Sequence, residues 1–405
     1  MSHSLPDGDG RVAKLPLPAL LALALTGFLC IATETLPAGL LPQMTSDLDL
    51  SPALAGQTVT AYALGSLMTA IPLTLATATW PRRRALLLTV AGFLLFNSVT
   101  ALSSNIAIIL VARFLAGCAA GLAWSLIAAY ARRMVVSSLQ GKAVAVAMIG
   151  TPIALSIGVP LGTWLGSSFG WRHAFTIMSA IAAVLAIWIL CVVPSFPGQP
   201  RGQRPALLRT LLHPGVRPIL LVVLAWMLGH NIIYTYIAPL VAQAGLGERV
   251  DLVLLVFGVA SLGGIWLSSR LVDRALRHTV IVSLAVFTLV ALGFAVAAKS
   301  PAWVIAGVAI WGLSFGGAAT LLQTALADAA GAGAEIALSM NVVAWNLAIA
   351  GGSVTGGLLL EWAGVSSFPY AVAVLVMLAL SIALRSVEHG FPVGPRPSAD
   401  RVAAH

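Results

Sequence analysis

The chain has 405 residues, of which 59% are hydrophobic and only 9% charged, with a net charge of +9. Soluble domains carry roughly a quarter charged residues, so this composition excludes a protein that must cover its surface with polar groups. The useful divisor is the membrane span of about 20 apolar residues, and twelve of those would use roughly 240 residues.

Taken in chain order, apolar stretches run at 17–44, 52–79, 85–103, 106–131, 143–167, 173–193, 217–243, 251–270, 280–298, 301–327, 337–361 and 367–385. They are continuously apolar rather than alternating, which predicts helices and not barrel strands. The first stretch carries Glu34 and lacks a small-x-small cleavage site, so it does not read as a removable signal. Cys30, Cys118 and Cys191 fall inside spans and form no disulfide framework. No cofactor is expected.

Placing the basic residues gives an orientation. The segments before span 1, between 2 and 3, 4 and 5, 6 and 7, 8 and 9, and after 12 hold 18 of the 22 lysines and arginines. Only Arg172, Arg249 and Lys299 fall on the other side, with Arg113 inside a span. The positive-inside rule then puts both termini in the cytoplasm. The +9 is a topology signal, and it predicts no nucleic-acid partner.

The segment SFPGQPRGQRPALLRTLLHPGVRP is the one clear linker. Leu207, Leu208, Leu211 and Leu212 against Arg204, Arg209 and His213 suggest a short helix lying on the inner membrane surface. The predicted organisation is a tail 1–16, a six-helix bundle 17–193, a cytoplasmic loop 194–216, a second bundle 217–385 and a tail 386–405. The two bundles repeat. Arg113, Gly117 and Gly121 match Val308, Gly312 and Gly316 at an offset of 195. Gly158, Gly162 and Gly170 match Gly352, Gly356 and Gly364 at 194, and the segment 269–278 falls on the 2–3 loop at the same offset. Both halves start on one side, so the repeat is parallel, with a pseudo-two-fold axis along the membrane normal. Glycines four apart share a helix face and let backbones approach closely. Pro72, Pro152, Pro160 and Pro239 interrupt spans and permit kinks.

The segments TETLPAGLLPQMTSDL (33–48), AGQTVTAYALGS (55–66), RFLAGCAAGLAWS (113–125), GVPLGTWLGSSFGWRHAF (158–175) and HNIIYTYIAPL (230–240) carry a family resemblance. The chain resembles the major facilitator superfamily, within it the twelve-helix drug:proton antiporters near the bacterial sugar (arabinose) and purine nucleoside efflux permeases. The resemblance covers residues 15–388. It implies an all-α membrane protein of two pseudo-symmetric six-helix bundles, in the bacterial inner membrane, functional as a monomer. The helix 4 motif built on Arg113, Gly117 and Gly121 resembles the family's. The stretch with Gly158, Pro160 and Gly162 resembles its antiporter motif, which implies export. The family's 2–3 loop contains an Asp where this chain has Thr79 beside Arg82, Arg83 and Arg84. The second copy keeps Asp273, Arg274 and Arg277, with Ser269 and Leu276 in place of glycines. The resemblance implies an inward gate latch here, which must differ in the first half.

Ionisable residues within spans are costly and mark candidate function. Glu34, Arg113 and His230 are the three, each about 12–13 Å from the outer end of its helix at 1.5 Å per residue. Helices 1, 4 and 7 line the central cavity in the resembled fold. Glu34 is the first candidate for the proton carrier, because burial and a nearby cation push a carboxyl's proton affinity in opposite directions. A proton entering down the potential supplies about 2.3 kcal/mol per 100 mV. The alternative for Glu34 and Arg113 is a fixed ion pair, and Arg113 alone could organise helix 1–helix 4 contacts. His230 titrates near neutrality when unperturbed, or serves as a hydrogen-bonded spacer. Asn231, Tyr234 and Tyr236 suit a polar organic cargo, and Trp124 could stack on a base or a sugar ring or fill the core. Gln57, Asn341 and Asn346 are weaker candidates.

The expected function is proton-coupled export of a sugar, nucleoside or drug-like molecule by alternating access. The alternatives are a proton-coupled uptake symporter of the same fold and a non-transporting sensor or scaffold. An enzyme is disfavoured, because no metal cluster, Ser-His pairing or long polar loop offers a catalytic site.

Overall fold

The computed structural model describes residues 14–136, 139–198, 212–331 and 334–394. The expected surface segment around Leu207 and Leu208 lies outside them, as do Arg11, Arg201, Arg204, Arg209, Arg396 and Arg401. The elements among the described residues are helices, and ten of these helical stretches are long and apolar enough to cross a membrane. Their contacts divide the chain into two compact units, Met1–Gln203 and Arg204–His405.

In the first unit the helices are α1 (Leu17–Gly39), α2 (Leu41–Leu48), α3 (Pro52–Ala76), α4 (Arg82–Leu102) and α5 (Ile106–Arg133). They continue as α6 (Gln140–Met148), α7 (Gly150–Ile153), α8 (Val159–Phe169) and α9 (Trp171–Val192). A π-helical turn, Ala154–Gly158, joins α7 to α8. Local chemistry sets several of the ends. The Ser51 hydroxyl accepts from the Leu54 N–H, and the Asn105 carboxamide oxygen accepts from the Ala107 and Ile108 N–H groups. Helix α3 packs on α5, and α4 packs on α5 and α9.

The second unit holds α10 (Val216–Thr235), α11 (Ile237–Ala242), α12 (Val250–Ala297), α13 (Pro301–Gly316), α14 (Ala318–Ala330), α15 (Ala334–Ala363) and α16 (Phe368–Arg385). The loop expected around 270–279 is instead helical, interrupted at one residue, Ala275, with φ −150° and ψ 38°. At 48 residues α12 would be about 72 Å long if straight, more than twice the hydrocarbon thickness. The kink therefore matters more than the continuity.

The repeat read from glycine spacing is visible inside each unit. A Cβ on Gly117 would overlap the Tyr62 carbonyl, and one on Gly312 would meet the Phe257 carbonyl. Tyr62 and Phe257 are themselves 195 apart. The Gly121–Ser66 approach recurs as Gly316–Ser261 at the same offset. Backbones touch here because no side chain separates them. Gly170 (φ 95°) and Gly364 (φ 73°) turn the chain at matching places, in a conformation L side chains rarely adopt.

The two halves also share a helix-end device. The Arg83 guanidinium lies 3.5 Å from the carbonyls of Leu190 and Val193 at the end of α9. Arg277 donates to the Ala383 and Leu384 carbonyls at the end of α16 and to the Phe391 carbonyl beyond it, at 2.8–2.9 Å. The pairs Arg83–Leu190 and Arg277–Leu384 are both offset by 194. A cation on terminal carbonyls satisfies orphan acceptors and complements the helix dipole.

Candidate functional site

In the first unit the site grows from Pro37, which sits inside α1 and has no N–H. The helix-regular donor for the Thr33 carbonyl is therefore missing. Arg113 supplies one. It rises from α5, is fully buried, and donates from Nη1 to the Thr33 carbonyl at 2.5 Å. Its Nη2 donates to the Glu34 carbonyl and its Nε to the Thr58 carbonyl of α3, both at 3.2 Å. The guanidinium lies over the Tyr62 ring at 4.8 Å and the Phe175 ring at 5.7 Å. Such stacking suits arginine's flat, weakly hydrated head. The Tyr62 hydroxyl donates to the Cys30 carbonyl at 2.8 Å. Asn97 of α4 donates to the Thr33 hydroxyl at 3.1 Å, and its own buried carboxamide oxygen has no partner. Glu34 and Arg113 thus come together as their similar depths suggested. The contact runs through main-chain carbonyls, not through the carboxylate. Among the described residues the buried Glu34 carboxylate is in no ion pair and accepts no hydrogen bond.

In the second unit His230 stands in an aromatic cluster. Its ring is stacked on Phe315 (centroids 3.7 Å, planes 4° apart) and on Tyr234 (5.2 Å, 24°). Trp311 lies at 5.1 Å and Phe257 at 5.7 Å. Trp226, one turn before His230 on α10, meets Phe315 edge-on at 6.1 Å. The spacing of 226, 230 and 234 puts three rings on one face of α10, and that of 311 and 315 puts two on α13. Helix breaks flank the cluster: α10 ends one residue after Tyr234, and α13 ends just after Phe315 at Gly316–Gly317.

The other candidates have plainer surroundings. Asn231 donates to the Met227 carbonyl of its own helix and packs on Gly352. The Tyr236 hydroxyl donates to the Ser353 carbonyl at 2.9 Å, and its ring packs on Gly356. Gln57 and Asn346 each donate within their own helices. Asn341 is buried with an unpartnered carboxamide oxygen. Half-buried Trp124 packs beside Gly27 of α1. Gly158 and Gly162 receive Phe28 and Leu36 of α1, beside buried Pro160. Asp273 and Arg274 are exposed. Tyr62, Asn97, Trp226, Phe257, Trp311 and Phe315 join these sites without standing out in the sequence as ionisable residues do. Four-residue aromatic spacing was the available signal for the second unit. For the first it was the missing N–H of Pro37, four residues past Thr33.

At one end of the first unit, Arg172 pairs with Asp47 and donates to the Ser103 carbonyl at 3.2 Å. The Trp171 indole N–H donates to the same Asp47 carboxylate at 3.1 Å. The hydrogen bond from Arg172 holds the Asp47 carboxyl below its ordinary range. This network ties α2 and the α4–α5 turn to the start of α9.

The family model for the Major Facilitator Superfamily matches residues 23–336. The chain belongs to that superfamily. Its fellow members are transporters, not enzymes, and this one is a multi-pass membrane protein; in bacteria such proteins sit in the inner membrane. The purine ribonucleoside efflux pump NepI of Escherichia coli O6:K15:H31 is 32% identical over 382 residues, covering 93% of this chain and 95% of the pump. The transcription regulatory protein OpdE of Pseudomonas aeruginosa is 29% identical over 381 residues, covering 93% and 95%. The fold is similar to that of the xylose transporter XylE from E. coli, with a TM-score of 0.72 at 17% identity, covering 92% of this chain and 98% of the other. The human organic anion transporter TETRAN is similar at a TM-score of 0.71 and 17% identity, covering 91% and 100%.

Proposed function

We propose that this facilitator exports a small organic molecule, of the purine nucleoside class, in exchange for protons by alternating access. Bundles 17–193 and 217–385 act as the two rocking halves. In this reading α3 and each arm of α12 also cross the membrane, which gives twelve spans with both ends cytoplasmic. The cargo class follows the nucleoside pump to which the chain is similar over nearly its whole length. The proton gradient is the energy source, without a cofactor, and the monomer is the working unit.

The observation that carries the coupling is the free Glu34 carboxylate beside a guanidinium already committed to three carbonyls. A fixed ion pair would hold the carboxylate ionised and idle. Here Arg113 braces α1 against α3 and α5, and Glu34 keeps its oxygens available for a proton. Cargo need only compete with that proton for the same electrostatic environment. The kinked α12 and exposed Asp273 and Arg274 serve as the inward latch, with Arg277 anchoring its base.

The test uses vesicles with an imposed pH gradient, supplied with purine nucleosides, sugars and lipophilic drugs. Nucleoside-evoked proton flux is expected, and it disappears in Glu34→Gln while cargo exchange at equal pH persists. Full coupled flux in that variant removes Glu34 as the carrier. Flux only with uptake polarity supports the symporter, and no flux with any cargo supports a sensor.

A further inference from the structure

Among the described residues of the second unit four buried ring nitrogens lack partners; Trp303 Nε1 stands apart, and three come from one cluster: Nε1 of Trp226, Nε1 of Trp311 and Nδ1 of His230. All three residues are more than nine-tenths buried and belong to one aromatic cluster. Native interiors leave few polar groups unpaired, because each costs its desolvation without return. Three in one place is not what an aromatic core needs, since phenylalanine packs such a core with no polar atom to desolvate. The indoles are donors only. They therefore call for a ligand with ring acceptors.

The ring stacking defines the ligand's shape. His230 lies flat on Phe315, with the planes 4° apart, and Tyr234 is stacked on it at 5.2 Å with the planes 24° apart. The imidazole thus occupies a stacking position that suits a flat ring. Phe315, unlike its neighbours, is only half-buried, and it precedes the Gly316–Gly317 break in the helix. Tyr234 likewise precedes the end of α10. Helix breaks beside a polar site are where transporters place ligands, since irregular backbone tolerates movement.

We propose that this cluster is the binding box for a flat nitrogen heterocycle of the purine type. The base takes the place of the His230 imidazole against Phe315. Ring nitrogens or a carbonyl of the base accept from the Trp226 and Trp311 indoles, and the displaced His230 presents Nδ1 to the base edge. The sugar plays no part in this recognition. The inference rests on the transport reading only in taking the bound base for cargo.

The experiment measures equilibrium binding of labelled inosine to the full chain in lipid nanodiscs at equal pH on both sides. Saturable binding is expected, competed by purine nucleosides and not by ribose. Removing one ring acceptor, in the 3-deaza or 7-deaza analogue, weakens competition about tenfold, the scale of one lost hydrogen bond. Trp311→Phe or Trp226→Phe keeps an aromatic ring, though a smaller one, and deletes the donor, so it weakens inosine about tenfold and erases the penalty of the matching deaza analogue. Phe315→Ala weakens every nucleoside. Ribose competing as well as inosine overturns the proposal. So does a deaza penalty unchanged in both tryptophan variants, or the absence of saturable binding. Failure of the antiport reading looks different: full inosine binding with no evoked proton flux leaves the box standing and removes the coupling.

Discussion

Replacing Arg113 by methionine keeps the unbranched stem of the side chain and removes the guanidinium with its donors. Three carbonyls then lose a charged partner. Glu34 and Thr58 carbonyls have helix-regular donors from Ala38 and Tyr62, so they suffer less. The Thr33 carbonyl has none, because residue 37 is proline. A hydrogen bond to a charged group contributes about 1.5–3 kcal/mol, and an orphaned buried acceptor costs about 1–3. Relief from burying the cation offsets part of the sum. The expected net loss is about 2–4 kcal/mol. The sharper test is the combination with Pro37→Ala, which restores an N–H to the Thr33 carbonyl. Arg113→Met should cost about 1 kcal/mol less in that background than in the wild type, a coupling of the size double-mutant cycles resolve. The assay is reversible unfolding in mixed detergent micelles, followed by tryptophan fluorescence. Additive effects of the two substitutions, or a loss under 0.5 kcal/mol for Arg113→Met, would refute the bracing role of the guanidinium.

Gly117→Val and Gly312→Val should both force α3 from α5 and α12 from α13, costing about 1–3 kcal/mol each by overpacking, read as matched drops in unfolding midpoint. Unequal effects would argue that the repeat is sequence deep only. The Asp47 carboxyl is held low when folded, so its stabilisation is present above the ordinary carboxylate value of about 4 and is lost as pH falls below it. The side chain is 46% exposed, so the effect stays under about 1 kcal/mol and shrinks in salt. Asp47→Asn should flatten the acid limb of the stability profile by that amount. Arg277→Ala should release two carbonyls at the end of α16 and that of Phe391, and raise hydrogen exchange at 386–391, with a smaller effect at 193–196 in Arg83→Ala, where the contacts are 3.5 Å.

The class of this protein was legible in its sequence because a bilayer constrains composition more severely than folding in water does. Long apolar runs, basic loops and a fixed glycine offset are local or periodic properties, and they sufficed for an all-helical membrane protein with a repeat. Rarity singled out Glu34, Arg113 and His230, since ionisable groups within spans are costly. What these residues touch was decided only by tertiary packing. That Arg113 would hydrogen-bond to carbonyls and not to the carboxylate depended on Pro37 emptying one acceptor on a facing helix. That His230 would lie among five other rings depended on α10, α12 and α13 meeting at that height. The helix ends were equally hidden: Arg83 and Arg277 look like ordinary topology signals until Leu190 and Leu384, more than 100 residues away, arrive beside them. Distance along the chain carries no information about such meetings, because they are fixed by which faces pack and not by which residues follow one another.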